Sequence, residues 1–144
     1  MGASQHELPL GDAAARGRAR GQRGEELAVE WLKRCGYRVV ERNVRRRQVG
    51  EVDLLAQRGE TLHIVEVKCG RGGPEWLIQR VDERKLRLLL RTAITAGYPR
   101  EEDGQRRCQV DLLLVSLSPR GPRYHLVEDV CPPELQWAGG PDVG

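Results

Sequence analysis

A short stretch of the chain holds the residue types most suited to chemistry. Between Gly50 and Lys68, in GEVDLLAQRGETLHIVEVK, acidic side chains interrupt apolar runs at Glu51, Asp53 and Glu66, and Lys68 follows Glu66 by two positions. Both apolar runs read as strands around an Arg-Gly-Glu-Thr turn. Strand alternation then puts Glu51 and Asp53 on one face of the first, and Glu66 and Lys68 on one face of the second. If the hairpin closes through Gly59 and Glu60, Arg58 faces Thr61, Asp53 faces Glu66 and Glu51 faces Lys68. Two opposed carboxylates about 5 Å apart repel by roughly 3 kcal/mol at an effective dielectric of about 20. Lys68 or a divalent cation must offset that repulsion.

A hard cation such as Mg²⁺ is commonly held by one or two carboxylates together with water and phosphate oxygens. Asp53 and Glu66 could supply the carboxylates, and the cation would lower the pKa of a water and neutralise charge on a scissile phosphate. Lys68 could position that water or stabilise the developing charge, which is the equipment of phosphodiester cleavage. The plainer alternative is an exposed Glu66–Lys68 ion pair worth about 0–1 kcal/mol. Against it, the acids break into Val and Leu runs that should be buried, where unpaired charge is costly and tends to mark a site.

The surrounding elements have to hold these residues in place. Leu27, Ala28, Trp31, Leu32 and Cys35 recur at helical spacing, predicting an amphipathic helix from Gln22 to Cys35 that Gly36 terminates. On that helix Glu26 points away from the apolar stripe and Glu25 lies at its border, so only Glu25 could reach inward. An acid near a helix N-terminus is also favourable without further function. Tyr37 to Glu41 reads as a strand, and Arg42 to Arg47, RNVRRR, as a basic connection into the hairpin. Beside carboxylates, Arg42, Arg45, Arg46 and Arg47 would suit an approaching phosphate backbone. A flexible loop, Cys69 to Pro74, follows the hairpin and contains Arg71.

A second helix is predicted over Arg80 to Ala96, with Leu86, Leu89, Leu90, Ala93 and Ile94 as its apolar stripe and Lys85 among the basic residues on its other surfaces. Gln109 to Leu117 is the most apolar run and reads as a central strand with Asp111 near its start; Arg123 to Glu128 reads as the last strand. Helix, three strands, helix, two strands predicts an α/β fold with a mixed central sheet flanked by helices.

The 144 residues suffice for one domain with a real core. Phe is absent, so Leu and Val must fill that core. Residues 1–20 read as a flexible basic arm, 21–131 as the domain and 132–144 as a Pro- and Gly-rich tail in which Leu135 and Trp137 could dock. Formal charge is +3, with +5 on residues 1–50 and −2 on the remainder, so the basic half is the N-terminal one. Cysteines at 35, 69, 108 and 131 form no C-x-x-C pair, which argues against a zinc site built on them. No apolar run approaches the roughly 18 residues of a membrane span or resembles a signal peptide, predicting a cytoplasmic protein without membrane partners.

Taken together, Gly24-Glu25 with Ala28, Gly36-Tyr37, Arg42-Asn43, Gly50 to Ala56, Val65 to Lys68, Lys85 and Asp111 resemble the YraN family of bacterial proteins. That family lies in the restriction-endonuclease-like, PD-(D/E)xK, superfamily. The resemblance implies a restriction-endonuclease-like core in which Asp53 and Glu66 bind Mg²⁺ or Mn²⁺ and Lys68 assists the water. The chain is also similar to archaeal Holliday-junction resolvases, where a helix acid eleven positions before a Gly-aromatic pair joins the metal site; Glu25 and Gly36-Tyr37 have that spacing. Val52 stands where the superfamily signature has proline. Gly70 stands where the family commonly has arginine, with Arg71 one position later, so a substrate contact on that loop is shifted or lost.

The leading expectation is a metal-dependent endonuclease acting on DNA, including branched or otherwise structured DNA. Arg42, Arg45, Arg46, Arg47, Arg71 and Lys85 are then the candidates for nucleic-acid contact, and a homodimer would suit two-fold substrates. A non-catalytic nucleic-acid-binding module of the same fold and a protein-interaction domain are the alternatives. Glu51 is expected only as a cross-strand partner of Lys68.

Overall fold

The computed structural model describes residues 10–78 and 81–132, with side chains from Gly21 onward except at Leu77 and Ile78. In chain order the elements are α1 (Leu10–Arg34), β1 (Arg38–Arg46), β2 (Gly50–Arg58), β3 (Thr61–Gly70), α2 (Pro74–Ile78), α3 (Glu83–Thr95), a single 3₁₀ turn (Glu101–Asp103), β4 (Arg107–Ser116) and β5 (Arg123–Val127). The five strands form one sheet in sequence order. β1, β2 and β3 run antiparallel as a meander, β4 lies parallel to β3, and β5 returns antiparallel to β4. A parallel step needs a long crossover, and α2 and α3 supply it. The expected α/β architecture with a mixed sheet is therefore the fold, consistent with a restriction-endonuclease-like core.

Strand alternation divides the core between the two sheet faces. On one face Ala28, Val29 and Leu32 of α1 pack with Tyr37, Leu54, Ala56, Val65, Leu113 and Val115. On the other, Leu86, Leu89 and Ala93 of α3 pack with Val44, Val52, Leu55, Leu62, Ile64 and Val110. Fully burying one such Leu or Val stabilises by about 1.5–3 kcal/mol, so a core without Phe is no handicap once both faces are covered. The stripe expected on α3 holds at Leu86, Leu89 and Ala93, whereas Ile94 is largely exposed.

The β2–β3 hairpin closes through Gly59 and Glu60, with Gly59 at φ +62°, a value open to glycine and expensive for most residues. Its pairs run from Arg58↔Thr61 to Leu54↔Val65, which is the expected register. At that point the two strands part. β2 continues along β1 through Val44↔Val52 and Arg45↔Glu51, while β3 continues along β4 through Glu66↔Leu112 to Gly70↔Ser116.

Three expected boundaries are corrected. The run expected as a basic connection, Arg42 to Arg47, is mostly the second half of β1, with the turn beginning at Arg47. β1 is an edge strand, where one buried residue, Val44, suffices and charge discourages pairing with other chains. The first helix begins by Leu10 rather than Gln22, so residues 10–20 of the expected arm are helical; Ala13 to Arg16 are good helix formers that need no apolar stripe. Residues 1–9 and the tail with Leu135 and Trp137 lie outside the described residues. α3 starts at Glu83, not Arg80, because Asp82 caps it by accepting from the Lys85 backbone N–H at 2.9 Å. The short α2, Pro74–Ile78, follows the loop. No helix among the described residues is long and apolar enough to cross a membrane.

α1 approaches the sheet most closely at Gly24. A Cβ there would lie 2.5 Å from the Cys69 Cβ and 2.9 Å from its Sγ, whereas a Cβ at the exposed Gly21 would meet nothing within 4 Å. Gly24→Ala is expected to lower stability by about 1–3 kcal/mol through overpacking. Gly21→Ala in the same helix should raise it by about 0.5–1 kcal/mol. Urea midpoints of the two variants test this contrast, and equal shifts would refute the close approach.

Candidate metal centre

The parting of β2 and β3 creates a fork, and Asp53 and Glu66 are the first residues beyond the last pair. The Val67 N–H has lost its ladder partner there, and the Asp53 Oδ2 accepts from it at 2.9 Å. Glu66 is only 3% exposed. Its Oε2 lies 3.2 Å from the Lys68 Nζ and 3.5 Å from the Lys85 Nζ. Lys68 comes from two positions further along β3, and Lys85 from the first turn of α3, which the Asp82 cap anchors.

The third acid arrives from α1. Glu25 is partly buried while Glu26 is exposed, as the helical wheel requires. Its carboxyl contacts Asp53 and Asn43 and feels the charges of Arg42 and Glu51. The absent side chain at Gly24 is what lets this turn of α1 settle onto β3 and deliver its neighbour to the fork. Asp53 thus stands between Glu66 and Glu25, touching both.

Burial and then the Glu66 charge push the Asp53 carboxyl up to about 8, with Glu25 adding to the rise and the Val67 N–H opposing it. Burial likewise raises Glu25, and its contact with Asp53 and the nearby Arg42 oppose that rise. No ion pair reaches Asp53 among the described residues. Three carboxyls from three elements therefore share one partly buried volume, and the lysines balance only Glu66.

The remaining expected residues disperse. Arg45 lies 3.6 Å from Glu51 across the β1–β2 ladder, both exposed, so Glu51 pairs with Arg45 and not with Lys68. The fork explains this correction: beyond Leu54↔Val65 the hairpin no longer holds Glu51 opposite Lys68. Arg42 and Arg46 are exposed on β1, Arg47 in the following turn and Arg71 in the loop after β3. Lys85, expected to face phosphate, contacts Glu66. Sequence reasoning missed that contact because helix-to-sheet docking sets it. It also gave no role to His63, which forms a buried 2.6 Å pair with Asp111; Asp111 inside the most apolar strand was the available signal. Among the described residues, His63, Asp111 and Glu128 are the group whose ligand atoms all lie within 4.8 Å of one another.

The Asp53 environment has a consequence for stability. The folded protein holds a proton on Asp53 that the unfolded chain, with an ordinary carboxyl near 3.8, releases. The stabilisation is complete below the unfolded value and is lost as pH rises through the folded value of about 8. Asp53→Asn keeps an acceptor for the Val67 N–H and removes the charge. In metal-free buffer at about pH 9 it is expected to be more stable than the parent by on the order of 1–3 kcal/mol, and the difference should vanish toward pH 4. Denaturant melts across that range measure it; a pH-independent difference would exclude Asp53 as the proton holder.

Comparison with known proteins adds the lineage. Residues 24–115 match the model of Uncharacterised protein family UPF0102. A UPF0102 protein of Rhizorhabdus wittichii is 42% identical over 95 residues, covering 66% of this chain and 78% of its own. One from Geobacter sulfurreducens is 34% identical over 121 residues, covering 81% and 91%. A third, from Sulfurovum, is 33% identical over 110 residues, covering 76% and 91%. The match spans α1 from Gly24, the whole hairpin with its fork, α3 and most of β4, and the chain belongs to Uncharacterised protein family UPF0102, the YraN family.

Proposed function

We propose that the fork is the centre of a Mg²⁺- or Mn²⁺-dependent endonuclease that hydrolyses phosphodiester bonds of DNA. One observation supports this reading: Asp53 touches both Glu25 and Glu66, and its carboxyl, pushed up to about 8, has no ion pair among the described residues. Oxygen-only donors with surplus negative charge fit a hard dication. Glu25, Asp53 and Glu66 would hold it, and when bound it would supply Lewis acidity to the scissile phosphate and acidify a water.

The chain's own residues do the rest. Asp53 is held in place by the Val67 N–H and Glu66 by its two lysines. Lys68, 3.2 Å from Glu66, can donate to an attacking water or to a phosphate oxygen as negative charge develops. The exposed guanidinium groups of Arg42, Arg45 and Arg46 on β1, with Arg47 and Arg71, offer phosphate contacts that orient a duplex without reading its bases. Branched or otherwise structured DNA is the proposed substrate class, in keeping with the likeness to junction resolvases.

A second reading is favoured by the Lys68 and Lys85 contacts. Those lysines already neutralise Glu66 without a metal, which would suit a non-catalytic DNA-binding module. Incubating the protein with junction, flap, single-stranded and plasmid DNA and Mn²⁺ separates the two. Cleavage is expected, falling about 10²–10³-fold in Lys68→Ala and at least as far in Asp53→Asn and Glu66→Gln, with Glu51→Gln unaffected. Undiminished cleavage by Asp53→Asn would overturn the assignment. Salt-sensitive DNA binding that survives Asp53→Asn, with no products in any metal, would establish the second reading.

A further inference from the structure

The sheet carries a second polar cluster, further along β3, that the proposed function does not use. His63 is 4% exposed in β3 and Asp111 0% exposed in β4. The parallel register sets Gln109 beside His63 and Val65 beside Asp111, so the two side chains meet diagonally, Nδ1 to Oδ2 at 2.6 Å. The other Asp111 oxygen accepts from the Gln109 Nε2 and the Asp129 backbone N–H, each at 2.9 Å. The β4–β5 ladder ends at Leu112↔Val127, which brings the exposed Glu128 alongside Asp111.

Two features go beyond a buried ion pair. One atom each from His63, Asp111 and Glu128 lies within 4.8 Å of the others. Independently, Tyr37 stands edge-on to the imidazole, ring centroids 5.0 Å apart, and is 5% exposed. Its hydroxyl is buried without a hydrogen-bond partner among the described residues, and the charges of Glu128 and Asp111 both act on it. A buried donor left unsatisfied is costly, and a ligand or a water held beside the cluster would satisfy it. The nearest opposing charge on that hydroxyl is Arg58, whose guanidinium stacks 4.6 Å from the Tyr37 ring centroid.

We propose that His63, Asp111 and Glu128 form a binding site for a transition-metal dication of the Zn²⁺ class, separate from the fork. His63 supplies a ring nitrogen, Asp111 and Glu128 carboxylate oxygens, and Tyr37 a donor to a water completing the shell. Imidazole with carboxylates suits Zn²⁺, whereas the all-oxygen fork suits Mg²⁺. Gln109 and the Asp129 N–H orient the Asp111 carboxylate, the outer support that ligating carboxylates usually have. His63 and Glu66 lie three residues apart on β3, roughly 10 Å, and face Tyr37 and Lys85 respectively, so these two side chains project from opposite faces of the sheet. The cation would tie β3 and β4 to the segment that follows β5.

The test uses the full chain carrying Asp53→Asn, stripped of metal, so that it does not depend on the fork. Zn²⁺ titration by calorimetry is expected to show one site, with Mg²⁺ failing to compete at equal concentration. Co²⁺ in its place should give visible ligand-field bands without thiolate charge transfer. Adding Glu128→Gln, a change at an exposed position, or His63→Gln should weaken Zn²⁺ at least about tenfold. Absence of Zn²⁺ binding, binding unchanged by Glu128→Gln, or cobalt–thiolate bands placing the ion at Cys108 and Cys131 would each overturn the proposal.

Discussion

The separation of β2 from β3 after Leu54↔Val65 is the constraint on which the candidate centre depends. Beyond the break β2 keeps its ladder with β1, and β3 its ladder with β4. The break frees the Val67 N–H, and the Asp53 carboxylate replaces the lost ladder partner. A fully zipped hairpin would have bonded that N–H to backbone and pressed Asp53 directly against Glu66. At the fork the two carboxyls still touch, Glu66 buried and Asp53 partly so, and α1 covers them from one side through Gly24 and Glu25.

The centre is costly to the fold. Carboxyls that burial and mutual repulsion hold in the protonated direction oppose folding near neutral pH, by an amount comparable with a sizeable part of a small domain's 5–15 kcal/mol, about 3 kcal/mol for one close pair. The apolar layers on both sheet faces offset it, and they begin immediately beside the acids, at Val52, Leu54 and Val65. Rigid packing so close to the fork also fixes where the carboxyls sit, since their backbones cannot relax away from one another.

How much of this was legible in the sequence follows from the range of the interactions. The hairpin register was readable because a two-residue loop and strict alternation leave one pairing, and Glu25 because a helical wheel distinguishes it from Glu26. The outer half of β1 was not, because an edge strand needs only Val44 inside and its arginines mimic a connection. The early start of α1 was hidden for a related reason: its first turns carry no apolar stripe. Lys85 beside Glu66 and His63 beside Asp111 depend on how α3 docks and how β4 registers against β3, and neither is encoded in local spacing.

The two acid clusters show how donor type and charge balance divide the labour of one sheet. Beside Tyr37, His63, the Gln109 amide and the Asp129 N–H all bond Asp111, and the Tyr37 hydroxyl and Glu128 stand next to them. At the fork the balance is deliberately transferable in the proposed reading. Lys68 and Lys85 neutralise Glu66 in the metal-free protein, and a dication held by the same carboxylate would take over that role. Both ammonium groups would then be free to face phosphate oxygens, so that the same charges that balance Glu66 would serve to receive the proposed substrate.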